Sequence, residues 1–140
     1  MVVGGIDTHK PKSQGYKTLQ TDIAGPLANG STDTTNTTGT ADVSDYDIIT
    51  IEVHFTGVNG STGNVTFFIG ESVDGTNYSG VNNATQSPIQ IVCAANGSNT
   101  VRQTAKIDVR GVKSIKLQGV YNSSGGNITN YGAVIGYNTY

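Results

Sequence analysis

Two acidic residues have the side chains that glycoside hydrolysis requires. Glu52 lies on the polar side of one alternating segment, and Glu71 ends the alternating segment that follows it. If the two segments formed a hairpin, the carboxylates could approach each other as the acid and base pair of a glycosidase. Nothing else in the sequence completes such a site. Motifs of other enzyme classes are also absent: the sequence has no Gly-x-Ser-x-Gly motif, no glycine-rich phosphate loop and no His-Glu-x-x-His motif. We therefore expect no catalytic residue and no enzyme activity.

Four aspartates carry the hard oxygen ligands that Ca²⁺ prefers. Asp42, Asp45 and Asp47 lie close together in the sequence, and Asp74 lies in a later turn. Their spacing has neither the glycine nor the final glutamate of an EF-hand loop, and aspartate is also a common first residue of a turn. Two histidines and one cysteine are too few for a Cys/His zinc cage. We expect no metal site and no cofactor.

His54 and Cys93 have simpler structural interpretations. His54 alternates with the apolar residues of its segment, which places it on the solvent side of a strand. Cys93 is in phase with Ile89 and Ile91, so we expect a small buried hydrophobic residue and not a reactive thiol. With a single cysteine, no disulfide bond can form within the chain.

Charged residues are few, 13% of the chain, and they are unevenly placed. Every charged residue from Asp22 to Val101 is acidic, whereas the segment from Arg102 to Lys116 is mostly basic. One interpretation pairs the basic strand with acidic strands of the same domain, each exposed pair contributing about 0.2–1 kcal/mol. The other places it against an acidic surface of a neighbouring copy. We expect no nucleic-acid partner, because the bases are few and no aromatic stacking platform is interleaved with them.

The second interpretation defines a set of predicted interface residues. It combines the N-terminal segment, the basic strand and the C-terminal tyrosines, since tyrosine often anchors interfaces. The set is Lys10, Lys12, Tyr16, Lys17, Leu19, Arg102, Lys106, Arg110, Tyr131, Tyr137 and Tyr140. Tyrosines also stack on sugars, and for a glycan contact the loop residues Asn77 and Tyr78 are the candidates.

Alternating β-branched and aromatic residues predict strands throughout the chain, and no stretch favours a helix. Ile49, Ile51, Val53 and Phe55 share one face, and a similar segment follows after a linker that contains Asn59-Gly60. We interpret this pair of segments as a hairpin with a long loop. Further strands are expected at 89–94, 100–109, 113–121 and 127–138, and a short one at 16–23. The pattern predicts an all-β fold, an antiparallel two-sheet β-sandwich of immunoglobulin-like or jelly-roll-like type with about seven strands.

The N-terminal third differs from the rest of the chain. Residues 1–44 are expected to form an extended N-terminal arm and a polar loop, and residues 45–140 the β-sandwich domain. No run approaches the ~18 apolar residues of a membrane span, and the N-terminus lacks the long apolar segment of a signal peptide. We expect neither feature, and synthesis in the host cytoplasm.

Short motifs in the sandwich region resemble those of a known class of proteins. A strand ending in His-Phe-Thr-Gly is followed by Ser-Val-Asp-Gly-Thr-Asn-Tyr at 72–78. Val-Arg-Gly-Val-Lys-Ser-Ile-Lys-Leu follows at 109–117, and Ser-Gly-Gly-Asn-Ile-Thr at 124–129. This order resembles the small β-sandwich virion proteins of tailed bacteriophages and prophages, which often have Trp where this chain has Tyr78. The resemblance implies a capsid decoration or tail-associated protein, assembled in many copies and without catalysis. Residues 1–44 lie outside it.

The leading hypothesis is therefore a non-enzymatic structural protein located in the virion. Its expected partners are further copies of itself and a capsid or tail protein. One alternative is a carbohydrate-binding or adhesion module that contacts host-surface glycan. Another is a subunit of an extracellular filament, polymerised by strand donation from the N-terminal segment.

Overall fold

The computed structural model describes residues 13–80 and 89–139, which contain nine strands and no helix. Within these ranges no helix could cross a membrane. The strands are β1 (Ser13–Ile23), β2 (Thr32–Asp33), β3 (Thr40–Asp42), β4 (Ile48–Thr56), β5 (Asn64–Ser72), β6 (Ile89–Ala94), β7 (Thr100–Asp108), β8 (Ser114–Ser123) and β9 (Thr129–Thr139).

The strands form two antiparallel sheets packed face to face. Sheet 1 has the order β1-β9-β4-β7, and sheet 2 has the order β2-β8-β5-β6, with β3 also pairing with β8. The prediction of an all-β antiparallel sandwich is confirmed. The strand count exceeds the expected seven because β2 and β3, of two and three residues, lie in the polar loop and are too short to show a period.

A single apolar core fills the space between the sheets. On β4, Ile49, Ile51, Val53 and Phe55 are at most 1% exposed. The core-facing residues of β5 are fully buried: Val65, Phe67 and Ile69. Cys93 is a free, buried cysteine, as expected, and burial raises the pKa of its thiol. The period-2 alternation of the sequence therefore identifies the core residues of both strands.

The predicted hairpin of β4 and β5 is wrong. β4 pairs with β7 and β9 in sheet 1, whereas β5 pairs with β6 and β8 in sheet 2. Residues 57–63 are therefore an arch that carries the chain across the core. The arch is tight: a Cβ on Gly63 would lie 2.2 Å from the carbonyl oxygen of Ser123. Alternation shows which face of a strand is buried, but two such faces can share a sheet or oppose each other.

The described part of residues 1–44 belongs to the sandwich and is not a separate arm. β1 pairs with β9 along most of its length, and β2 and β3 pair with β8. The predicted short strand at 16–23 is longer than expected, and it starts at Ser13 because its partner β9 runs to Thr139. Residues 1–12, which hold the rest of the predicted arm, lie outside the described residues.

Gly39 marks the tightest contact between the polar loop and β1. A Cβ at this position would lie 1.9 Å from the carbonyl oxygen of Leu19. We expect Gly39→Ala to lower the free energy of unfolding by about 1–3 kcal/mol, since backbone atoms must move. Denaturant unfolding measures this. Gly136→Ala is the matched control, with no atom closer than 3.8 Å, and should change stability by less than about 0.5 kcal/mol. Equal effects of the two substitutions would contradict the close approach.

Candidate functional site

The two glutamates considered for glycoside hydrolysis lie in different sheets. Glu52 is on β4 and accepts a hydrogen bond from Arg102 Nη1 at 2.9 Å. Glu71 is on β5, where burial and the nearby charge of Asp108 raise the pKa of its carboxyl. The carboxylates of Glu52 and Glu71 could approach each other only if β4 paired with β5, and the two strands do not pair. This arrangement supplies no glycosidase pair.

The aspartates considered for Ca²⁺ organise turns. Asp42 accepts hydrogen bonds from the amide and hydroxyl of Ser44 and pairs with Lys113 at 3.3 Å, which lowers its pKa to about 2. Asp74 accepts from the backbone amides of Thr76 and Asn77, both at 2.8 Å. Among the residues that the structure describes, no group of three acidic, histidine or cysteine side chains could hold a metal ion.

The two candidates for glycan contact help to fix a loop on sheet 2. The amide group of Asn77 donates to Asp74 Oδ2 at 2.8 Å. The hydroxyl of Tyr78 lies 2.8 Å from Ser114 Oγ, and Lys116 Nζ lies over its ring, 5.8 Å from the centroid. Lys116 thus lies over one face of the half-buried Tyr78 ring, and the hydroxyl of Tyr78 is held by Ser114.

The predicted basic segment, Arg102 to Lys116, covers most of β7, at one edge of sheet 1, and continues into the start of β8. Arg102 pairs with Glu52 of β4, and Arg110, just after β7, pairs with Asp108 within its own turn. Lys106 is exposed and lies opposite Thr50 of β4. Pairing of the basic strand with an acidic strand of the same domain thus accounts for Arg102. It leaves Lys106 free for another contact.

The N-terminal interface candidates Tyr16 and Lys17 have different surroundings. Tyr16 projects from β1 and is 79% exposed. Lys17 is half-buried beside the stacked rings of Tyr46 and Tyr137, whose centroids are 4.7 Å apart, and donates to the carbonyl oxygen of Asp42. Lys17 and Tyr137 therefore join β1 and β9 to the loop after β3. Of Tyr16, Lys17 and Tyr137, only Tyr16 has a side chain that projects into solvent.

Two predicted interface residues are buried, and for them the prediction is wrong. Leu19 and Tyr131 are each 2% exposed and belong to the core, because both lie on the inner face of sheet 1. Lys10, Lys12 and Tyr140 lie outside the described residues. The sequence also placed His54 on the surface, yet it is 6% exposed, and its Nε2 lies 2.6 Å from Asp22 Oδ1. Asp22 lies directly over Gly132 and reaches His54 because this position has no side chain.

A cleft of about 470 Å³ opens at the end of β1, beside a buried carboxylate. Asp33 Oδ2 accepts from the hydroxyl of Tyr131 at 2.6 Å, and Oδ1 accepts from the amides of Thr35 and Asn36. Burial raises the pKa of Asp33, but these hydrogen bonds outweigh it and hold the pKa below its usual value. Burial and the charge of Asp33 raise the pKa of Tyr131. Asp33 is thus committed to holding the polar loop on the core and has little capacity left for a ligand.

The two ends of the sandwich differ sharply in charge. One end carries Asp45, Asp47, Asp74, Arg110 and Lys113 in its loops, with Asp42 at the end of β3 beside them. The loops at the opposite end, 24–31, 57–63, 95–99 and 124–128, contain no charged residue. We call this second surface the uncharged end.

Hydrogen bonds make the uncharged end a defined surface. The buried amide of Asn122 donates to the carbonyl oxygens of Leu27 and Gly126, both at 2.8 Å, and its oxygen accepts from Ser124. Gly125 donates to Asn29 at 2.9 Å. Backbone hydrogen bonds join loop 57–63 to loops 124–128 and 95–99, so direct contacts link all four loops.

Comparisons with protein families and with curated proteins give no match. Among solved structures, a chain of infectious bursal disease virus Gx strain has a TM-score of 0.52 and 11% identity, covering 92% of this chain and 33% of that one. A chain of the VP2 subviral particle of that virus has a TM-score of 0.50 and 14% identity, covering 97% and 37%. This protein thus spans about a third of either viral chain, and what they share is the fold.

A third structure is less similar. The carbohydrate-binding module CBM6cm-2 of Cellvibrio mixtus lichenase 5A has a TM-score of 0.42 and 15% identity, covering 96% of this chain and 94% of the module. A likeness of this size supports no functional conclusion.

The Tyr131–Asp33 hydrogen bond can be tested by its effect on stability. Tyr131→Phe should lower the free energy of unfolding at pH 7 by about 1.5–3 kcal/mol, because a buried carboxylate loses a donor. The depressed pKa of Asp33 stabilises the fold fully above its unfolded value of about 3.9, and this contribution is lost as pH falls through the lower native pKa. The difference between wild type and variant should therefore be constant near pH 7 and shrink as the pH is lowered below about 3.9.

Tyr121→Phe is the control, since Tyr121 is 37% exposed and its substitution should cost less than about 0.5 kcal/mol. Urea unfolding across this pH range measures both variants. A Tyr131→Phe defect that stays constant with pH would contradict the ionised Asp33.

Proposed function

We propose that this protein is a non-enzymatic structural protein of a virion, a capsid decoration or tail-associated β-sandwich of a tailed bacteriophage or prophage. It acts in many copies and contacts both its own kind and a shell or tail protein. The short motifs at 72–78, 109–117 and 124–129, which resemble those of tailed-phage virion proteins, support this assignment. The sandwich fold is compatible with it.

The observation that carries the proposal is the uncharged end. The centres of protein interfaces are depleted in charged residues, because each charge buried without a partner costs several kcal/mol. Here four loops from both sheets present only small polar and apolar side chains, among them Val58, which is 39% exposed. Such a surface can be covered by a neighbouring protein without desolvating any charge.

The rigidity of the uncharged end also favours a structural contact. Asn122 and Ser124 are at most 1% exposed, and their hydrogen bonds hold the loops before a partner arrives. A preformed surface loses little conformational entropy on binding. The chemistry of the contact is therefore backbone and amide hydrogen bonding with close packing of small groups, repeated at every copy.

Electron microscopy of native particles that contain the protein tests the proposal. We expect density for many copies at repeated lattice positions, with the uncharged end against the shell or tail. Particles that carry no density for the protein would overturn the proposal, whatever its oligomeric state in solution.

Charge substitutions test which surface makes the contact. Asn59→Asp together with Ser98→Glu adds two charges to exposed positions of the uncharged end. We expect the fraction of protein that co-sediments with particles to fall about tenfold or more, with unchanged thermal stability. The control pair, Val73→Glu with Thr76→Glu, adds the same charge at the charged end and should bind normally. Equal binding of both pairs would exclude the uncharged end.

A further inference from the structure

One long and regular strand edge is open in the described part of the chain. β7 pairs with β4 over nine residues without a register shift, and no second described strand lies beside it in sheet 1. The other edges are less regular. β1 has two register shifts, β6 has six residues, and β2 and β3 are shorter still.

Proteins commonly protect strand edges by shortening them, by introducing bulges or by placing charged residues on them. β7 is neither short nor bulged, and its charged residues have both signs, Arg102 and Lys106 with Asp108. An open edge presents backbone N–H and C=O groups that can pair with another strand. We propose that β7 pairs edge to edge and antiparallel with β7 of a second copy, about a two-fold axis through Ala105.

Charge selects this register. In the proposed pairing, Arg102 lies opposite Asp108 of the second copy, and the two-fold axis generates the same pair again. Lys106 lies opposite Thr104, so no like charges meet. All these side chains occupy the outer face of sheet 1, where opposite residues interact directly.

The neighbouring two-fold registers are disfavoured by like charges. Moving the axis to Thr104 places Arg102 opposite Lys106 of the second copy. Moving it to Lys106 places that residue opposite itself. Sliding one strand past the other by a single residue would pair core-facing residues of one copy with outward-facing residues of the other. One copy would then have its core side turned outward, because side chains alternate with a period of two. The axis at Ala105 is thus the favoured register among these alternatives.

The pairing also covers exposed apolar surface. Val101 and Ala105 face the core side of β7 but remain partly exposed because the sheet ends there. A second copy would shield them and continue sheet 1 across the axis. Glu52 and Arg110, which already pair with Arg102 and Asp108, would extend each new pair into a network.

This contact does not depend on the proposed virion role, since two copies can pair in solution. Failure of the β7 pairing can therefore be told apart from failure of the virion proposal. The pairing is measured with the purified protein, and the virion contact is measured on particles.

Substitutions of Thr104 test the register, because they act oppositely on the subunit and on the pair. Within the subunit Thr104 lies opposite Glu52 of β4. Thr104→Lys gains an attractive neighbour there but meets Lys106 of the second copy. Thr104→Glu does the reverse. Sedimentation equilibrium of the full chain should show the dimer dissociation constant rising roughly 2- to 30-fold for Thr104→Lys and falling by a similar factor for Thr104→Glu.

Disulfide trapping tests the axis itself. The two Ala105 residues should have Cα atoms about 4.5–5.5 Å apart, so Ala105→Cys should give a covalent dimer under mild oxidation. Thr100→Cys is the control, since its two copies would be about 33 Å apart. A strict monomer, dimers without Ala105→Cys cross-linking, or Thr104 variants with equal affinities would each overturn the proposal. Loss of the dimer on deleting residues 1–12, without cross-linking, would indicate that this segment occupies the edge instead.

Discussion

The mutual burial of two apolar sheet faces is the constraint on which the structure depends. The single cysteine is buried and free, and the described residues contain no helix to cover either sheet. The inner faces of β4 and β5 must therefore oppose each other across one core. As a result the chain crosses between the sheets at most of its connections, and the loops become the places where backbones approach closely. Glycines at 39, 57 and 63 allow those approaches.

Two buried polar side chains hold the loops that this topology creates. Asp33 binds the polar loop to Tyr131 of β9, and Asn122 of β8 joins two loops of the uncharged end, 24–31 and 124–128. Each is nearly inaccessible to water, so an unmade hydrogen bond there would cost the full desolvation of the group. These interactions give definite shapes to loops whose sequences are rich in glycine, asparagine and serine.

The surface divides into regions with different physical capacities. At the charged end, two ion pairs join Asp42 with Lys113 and Asp108 with Arg110. The uncharged end offers hydrogen-bonding and packing groups alone, and β7 offers an open backbone edge. The proposed contacts with a shell and with a second copy would use these two surfaces.

The sequence by itself determined the class of fold, the long strands and most core positions. Alternation at Ile49, Ile51, Val53 and Phe55 is a local property, because each residue type reflects whether its own side is buried. What buries that side is not local. Only the tertiary structure decided that β4 and β5 lie in opposite sheets, that Tyr131 is a core residue bound to Asp33, 98 positions away, and that Asp22 reaches His54. A period of two records which face is covered, whereas strand partners, arches and the groups brought together at the ends depend on contacts between distant segments.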